Sequence, residues 1–356
     1  MDKKYFPYID AVRVLSMFGI IILHSASYGL RAYYYSKSWY ALNLITSLCT
    51  CAVPLFFMIS GALLLSGDKT DDIAYMLKKR LPRLVIPLLF WSFACILRDY
   101  YYIYKNLHTF EPYKLWQTAI SVISDPVAVH LWFMYALIPL YLIAPFIRKI
   151  TADKKLTKYL LVLWLISCTF KTVYIAAPDG LKMYFDFSFT DKLNYIDGFL
   201  GYFVLGAYLH TGNLRLKSHT VLIISILLTT VISAGTCYAT YKNGSYSEIF
   251  KSYTSIWVIA LSVVLYLGAL NIKAIPQFFK GAVSYLSSIS MGIYMSGNFF
   301  LGIMRQEGMT FDTARDFLLC TVYTFALCFV FNSIFKHIKP LCFLTTGNKY
   351  RSKSRR

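Results

Sequence analysis

Charge is what this chain has least of. Asp, Glu, Lys and Arg make up 15% of its 356 residues, where a soluble domain carries about 25%. Acids are the scarcer half, 17 against 36 Lys and Arg, and histidine occurs six times. With 57% apolar residues and a mean hydropathy of +0.53, this scarcity excludes an ordinary soluble protein and leaves a polytopic membrane one. Cysteine is also uninformative. Of eight, Cys51, Cys95, Cys168, Cys237, Cys320 and Cys328 lie inside apolar runs, and Cys49 and Cys51 are too close for a CxxC pair. No second pair follows, so neither a metal ligand set nor a structural disulfide is expected. The opening MDKKYFPYID lacks the charged, apolar, then small-residue order of a removable signal, so the first apolar segment is expected to remain as a span.

The net charge of +19 does not point to nucleic acid. Basic residues gather in alternate loops and in the tail 349–356, the positive-inside pattern with added attraction to anionic lipid. Ten apolar segments can be read, at about 8–30, 41–66, 83–104, 130–150, 156–177, 195–210, 219–241, 252–271, 283–304 and 313–336. The expected fold is therefore all-α, a bundle of about ten transmembrane helices. It forms one domain over 1–340 and a basic tail over 341–356. The longest loop, 105–129, has room for a short interfacial helix around Tyr113–Ile123. Basic residues in the 69–83 and 148–158 loops and after Lys336, set against acids such as Glu111, Asp125, Asp179 and Glu248 in the others, place both termini in the cytoplasm.

Within the first segment, Tyr8–Leu30, stand Arg13 and His24. Their separation is about three full helical turns, which puts both on one face, about 16–17 Å apart along the axis. Ionisable groups at membrane depth are costly and face a bundle interior or a wet cavity, so they carry a functional reading by default. Arg13 could also snorkel to the interface, and His24 could be a hydrogen-bonded packing residue. Asp10, one turn before Arg13, can pair with it.

Further motifs follow in order. Ser60-Gly61 in the second segment permits close helix approach and a hydrogen bond across helices. Arg80 and Arg83 flank Pro82, a natural first-turn residue. Two guanidiniums at a cytoplasmic helix entrance suit phosphate, and they equally suit a lipid-headgroup anchor. His130 and Trp132 stand at the outer end of the fourth segment, where an aromatic belt is expected and contact with a sugar is an alternative. Gly198, Gly201 and Gly206 space a close-packing helix, with Asp197 at its outer end as a candidate contact for a polar acceptor. His210, His219 and His337 read as interfacial residues.

Taken together, these motifs resemble the integral-membrane acyltransferase-3 family. They are Arg13 and His24 with ten residues between them, the ISG run Ile59–Gly61, the RxxR at Arg80–Arg83, the HLWF run His130–Phe133 and the SMGIYM run Ser290–Met295. The likeness covers nearly the whole chain and lies closest to members that O-acetylate bacterial surface glycans. One departure is Gly297, where relatives commonly carry a histidine. The resemblance implies an O-acyltransferase of the bacterial cytoplasmic membrane. It would move an acyl group, usually acetyl, from acetyl-CoA or another acyl-CoA to a hydroxyl of a cell-surface glycan or lipid-linked sugar precursor, without a metal. His24 with Arg13 would then be catalytic. Arg80, Arg83 and Arg13 would hold the CoA phosphates, and Ser60, His130, Trp132 and Asp197 would face the acceptor. The chain has no H-x-x-x-x-D pair after His24, since Gly29 stands at that spacing, and no G-x-S-x-G elbow. Two other readings use the same residues: a transporter or flippase with Arg13 and His24 on a substrate or proton path, and a membrane-embedded sensor or inactive relative.

Overall fold

In the computed structural model, residues 5–32, 34–108, 112–122, 124–177, 180, 198–309 and 313–348 are described. Thirteen helices of eight residues or more organise these residues: α1 (Pro7–Ala32), α2 (Lys37–Cys49), α3 (Ala52–Leu65), α4 (Pro82–Leu107), α5 (Pro112–Ser121), α6 (Trp132–Ala152) and α7 (Lys154–Ala176), then α8 (Leu200–Thr211), α9 (Ser218–Asn243), α10 (Ile256–Ala269), α11 (Gln277–Gln306), α12 (Ala314–Lys336) and α13 (Lys339–Thr346). A π-helical stretch, Met76–Arg80, runs into α4. No β-strand occurs among the described residues. The chain is an all-α polytopic membrane protein, and eight of its helical stretches are long and apolar enough to cross a bilayer. That architecture satisfies backbone donors and acceptors inside each helix, as hydrocarbon requires.

Two apolar segments differ from the expected outline. The run 41–66 is broken at Thr50–Cys51 into α2 and α3. Pro54, three residues into α3, has no N–H to return to the Thr50 carbonyl, so the break falls where the proline removes a helical bond. The run 195–210 yields only the 12-residue α8 among the described residues, too short for a full span. The helix expected near 113–123 is present as α5.

The chain divides into two compact units, Met1–Asp71 with Ile143–Val283, and Asp72–Leu142 with Ser284–Arg356. The centre of the first is the crossing of α3 and α8. A Cβ at Gly61 would overlap the Phe203 carbonyl, and one at Gly206 would overlap the Met58 carbonyl. Missing side chains there let the two backbones touch, the usual device where lipid supplies no hydrophobic drive between helices. Outward, α9 shows Leu222, Ile223, Ile226 and Leu227 at about 60% exposure, an apolar face that a bilayer covers. The loop after α3 is clamped by Arg148, whose guanidinium pairs with Asp68 at 2.9 Å and with Asp71, and whose Nε donates to the Leu65 carbonyl at 3.3 Å.

In the second unit α4, α11, α12 and α13 pack around Trp91, whose ring is fully buried. It meets Phe299 and Phe331 at 5.8 and 5.6 Å, and its Nε1 donates to the Thr345 carbonyl at 3.2 Å. Near the far end of α4, Arg98 reaches the Asn298 and Phe299 carbonyls of α11 at 3.1 and 3.2 Å. Gly302 makes room for that guanidinium, which a Cβ would meet at 2.5 Å.

Candidate active site

In the first unit, α1 runs unbroken from Pro7 to Ala32 and carries both residues of the leading motif. Arg13 and His24 are each half-buried and lie on one helical face, about 16–17 Å apart along the axis. Arg13 has Asp10 one turn away at 3.8 Å, with the two side chains 30% and 16% exposed. At this partial exposure the pair orients the guanidinium more than it stabilises the fold. The His24 backbone carbonyl accepts the Ser27 hydroxyl at 2.8 Å, a local bond of the kind that bends membrane helices. Ser60, half-buried on α3, precedes the Gly61 contact with α8.

Two features of this unit were not legible beforehand. At the N-terminal end of α1, the Tyr8 hydroxyl meets His210 Nδ1 at 2.7 Å and the Tyr266 hydroxyl at 3.1 Å. Tyr266 in turn reaches the Gly206 carbonyl at 3.2 Å. His210 is thus built into a tyrosine chain rather than left at an interface.

The second is Lys251, only 7% exposed. Its ammonium donates to Thr46 Oγ1 at 2.8 Å and to the Tyr246 hydroxyl at 3.3 Å, and lies 5.6 Å from the Tyr246 ring centroid. Thr46 gives its own proton to the Leu42 carbonyl at 2.6 Å, so its oxygen is committed to accept. The adjacent Glu248 is engaged by Arg31 at 3.1 Å. A buried cation held by neutral oxygens costs several kcal/mol of desolvation. Its depth follows from the pairing of α1 with α2. A Cβ at Gly19 would lie 2.9 Å from Ala52 Cβ and 3.8 Å from Cys49 Cβ, and Trp39 Nε1 donates to the Leu30 carbonyl at 3.0 Å. The helices are antiparallel, with Thr46 level with Ile22–Leu23. Lys251 therefore sits within about one turn of the His24 level along α1.

The second unit holds the other motifs. Arg80 ends the π-helical stretch and Arg83 stands in the first turn of α4, both half-buried. The Arg80 guanidinium lies 5.5 Å from the Tyr75 ring centroid, a cation–π contact. Its Nε is enclosed and has no hydrogen-bond partner among the described residues, so one donor of the fork is uncommitted. An enclosed donor without an acceptor is costly in a finished structure.

His130 is fully buried. Its Nε2 faces the Met295 carbonyl at 2.9 Å and its Nδ1 faces the Asn298 amide nitrogen at 3.3 Å. The first contact requires Nε2 to donate and the second lets Nδ1 accept, the assignment of a neutral ring. Tyr294 donates to the His130 carbonyl. The HLWF and SMGIYM runs, far apart in sequence, are therefore tied to each other through this histidine. Trp132 is half-buried at the start of α6, edge-on to Phe133 at 6.4 Å. Gly297, on the buried side of α11 beside Asn298, has open space where a Cβ would be. Asp197 lies outside the described residues.

The sequence motifs thus fall in two sets. Arg13, His24 and Ser60 belong to the first unit; Arg80, Arg83, His130 and Trp132 belong to the second. Among the described residues no three His, Cys, Asp or Glu side chains gather as metal ligands.

Comparison with known proteins gave one finding. The model of an acyltransferase domain family, acyltransferase-3, matches residues 6–333, nearly the whole chain, a span that contains the motifs above. No curated protein and no solved structure gave a match. A family match of this extent, on an all-α bundle of apolar helices with the arginine and histidine of its first span on one face, has one meaning: the chain belongs to the acyltransferase-3 family of membrane acyltransferases.

Proposed function

We propose that this enzyme transfers an acyl group, acetyl first among candidates, from cytoplasmic acyl-CoA to a hydroxyl of a cell-surface glycan or lipid-linked glycan precursor. It would do so from the bacterial cytoplasmic membrane, with both termini inside. The observation that carries the reading is the single helix α1, which holds Arg13 and His24 on one face about 16–17 Å apart. The pantetheine arm of CoA spans a distance of that order between its phosphates and its thioester. Arg13 then suits the phosphate end and His24 the thioester end.

The chemistry asks for two things. His24 takes the proton of the acceptor hydroxyl as its oxygen attacks the thioester carbonyl carbon, and histidine titrates near the pH at which this must happen. The tetrahedral oxyanion then collapses, the C–S bond breaks, and the CoA thiolate receives that proton to leave as CoA-SH. Arg80 and Arg83 grip the CoA phosphates through paired N–H donors, and their half-buried placement where the π-helical stretch runs into α4 supports that role. Ser60, Trp132 and Asp197 are the candidates for contacting the glycan. His130 we assign to structure, because both ring nitrogens are already engaged.

The test is purified protein in vesicles, given radiolabelled acetyl-CoA and isolated surface glycan. Label in the glycan that needs both protein and acetyl-CoA supports the reading. Movement of glycan or solute across the vesicle without labelling would replace it with a transporter.

A further inference from the structure

The family match ends at residue 333, yet the chain continues into a helix that is part of the second unit. In α13 (Lys339–Thr346), Cys342, Thr345 and Thr346 are buried. Thr345 gives its carbonyl to Trp91 Nε1 at 3.2 Å. Thr346 packs so near α11 that a Cβ at Gly292 would come within 2.9 Å of its methyl. Asn348 donates to the Ser288 carbonyl at 2.6 Å, and Lys336 donates to the Ser288 hydroxyl at the same distance. The end of this segment is thus pinned to α4 on one side and to α11 on the other.

What it meets on α4 is the arginine turn. Arg83 would ordinarily give its carbonyl to the N–H four residues on, but that residue is Pro87, which has none. The same proline ring crowds that carbonyl. Gly347 packs against it. It caps α13 in the left-handed region at φ +68°, with its N–H on the Phe343 carbonyl at 2.9 Å. A Cβ at this position would overlap the Arg83 carbonyl oxygen and lie 3.0 and 3.2 Å from Arg83 C and Cα. Only glycine satisfies both demands. It accepts the left-handed backbone without strain, and it admits a main-chain carbonyl at close range.

We propose that Gly347 is a positioning residue for the anion-binding Arg83: the Arg83 carbonyl, left without its helical partner by Pro87, is closed over by Gly347, and this brace sets the direction in which Arg83 presents its guanidinium to the donor phosphates. The inference rests on the donor reading given above. A side chain at 347 pushes on the Arg83 main chain itself, so the fork moves while the chemistry at His24 is untouched. The consequence is a loss of donor affinity without a loss of turnover.

The test is steady-state kinetics of the full-length enzyme in vesicles, with acetyl-CoA varied at saturating acceptor, for the parent, Arg83→Ala, Gly347→Ala and the double variant. Gly347→Ala should raise the donor KM on the order of tenfold, the scale of one misplaced charge-assisted hydrogen bond, with kcat within about twofold of the parent. A merely structural role would lower the amount of active enzyme, so kcat would fall at unchanged KM. Because Gly347 acts through Arg83, the double variant should match Arg83→Ala alone. Additive losses overturn the brace. Raised donor KM in Arg83→Ala with a parental value in Gly347→Ala overturns the brace and leaves the donor reading standing. A parental KM in Arg83→Ala overturns both. Should Gly347→Ala fail to insert, Trp91→Phe decides: it removes the bond to Thr345 but keeps an aromatic ring, and it should raise the donor KM by a smaller factor. An unchanged KM there overturns the proposal.

Discussion

His24 and His130 are both histidines in apolar surroundings and both belong to a family motif, yet the molecule treats them differently. His130 is sealed, with each ring nitrogen engaged and its carbonyl taken by Tyr294. His24 is half-buried on a helix face that also carries an arginine. A ring with both nitrogens engaged cannot take a substrate proton without breaking a bond it was built to keep. Motif membership alone does not separate the two: the surroundings make His130 a strut, and they leave His24 as the base we propose.

The comparison can be broken most forcefully at His130. His130→Ala removes a buried ring together with its bonds to the Met295 carbonyl and the Asn298 amide. The expected loss is about 3–5 kcal/mol of stability, read by thermal unfolding in detergent, with the specific rate of the surviving folded enzyme within a few-fold of the parent. A stable but inactive variant would make His130 a chemical residue after all.

Lys251 sharpens the contrast from the other side. Replacing a buried charge by an apolar side chain of similar size is often neutral or stabilising. Lys251→Met should therefore keep or raise the unfolding temperature. Its position near the His24 level should nonetheless make the specific transfer rate fall on the order of 10²-fold, the low end of the range for removing one donor from a site. Lower stability with a full specific rate would class Lys251 with His130.

The smallest effect lies at the edge of the second unit. Glu307 accepts Lys105 at 2.9 Å and Tyr102 at 2.8 Å, and these bonds hold its carboxyl below the ordinary carboxylate range. A carboxyl with a depressed folded pKa contributes stability that is complete above its unfolded value and is lost as pH falls through the folded one. Between neutral pH and pH 5 the parent and Glu307→Gln should differ by a constant small amount, and the difference should shrink below about pH 4.5. Parallel unfolding curves down to pH 3 would show that the bonds carry no stability.

The sequence made the bundle legible because spans announce themselves as apolar runs and because Gly61 and Gly206 signal close backbone approach. It did not reveal the break at Thr50–Cys51, whose cause is one proline inside an otherwise uniform run. Nor did it reveal Lys251. A lone lysine after Glu248 reads as a loop charge, and the partner that defines it, Thr46, lies 205 residues away. His130 read as a belt residue for the same reason, since its partners Met295 and Asn298 belong to a distant helix. The arginine pair was visible as a motif, but the brace at Arg83 was not. Pro87 and Gly347 mean little apart, and only the fold brings them to the same carbonyl.

The proposed role of His24 as the base for acyl transfer is open to direct test. The most direct measurement is the turnover of His24→Gln, which keeps size and hydrogen bonding but cannot take the proton, with the donor KM read in the same assay. In this variant kcat should fall on the order of 10²–10⁴-fold with the donor KM close to the parent. A folded His24→Gln enzyme turning over near the parental rate would contradict it.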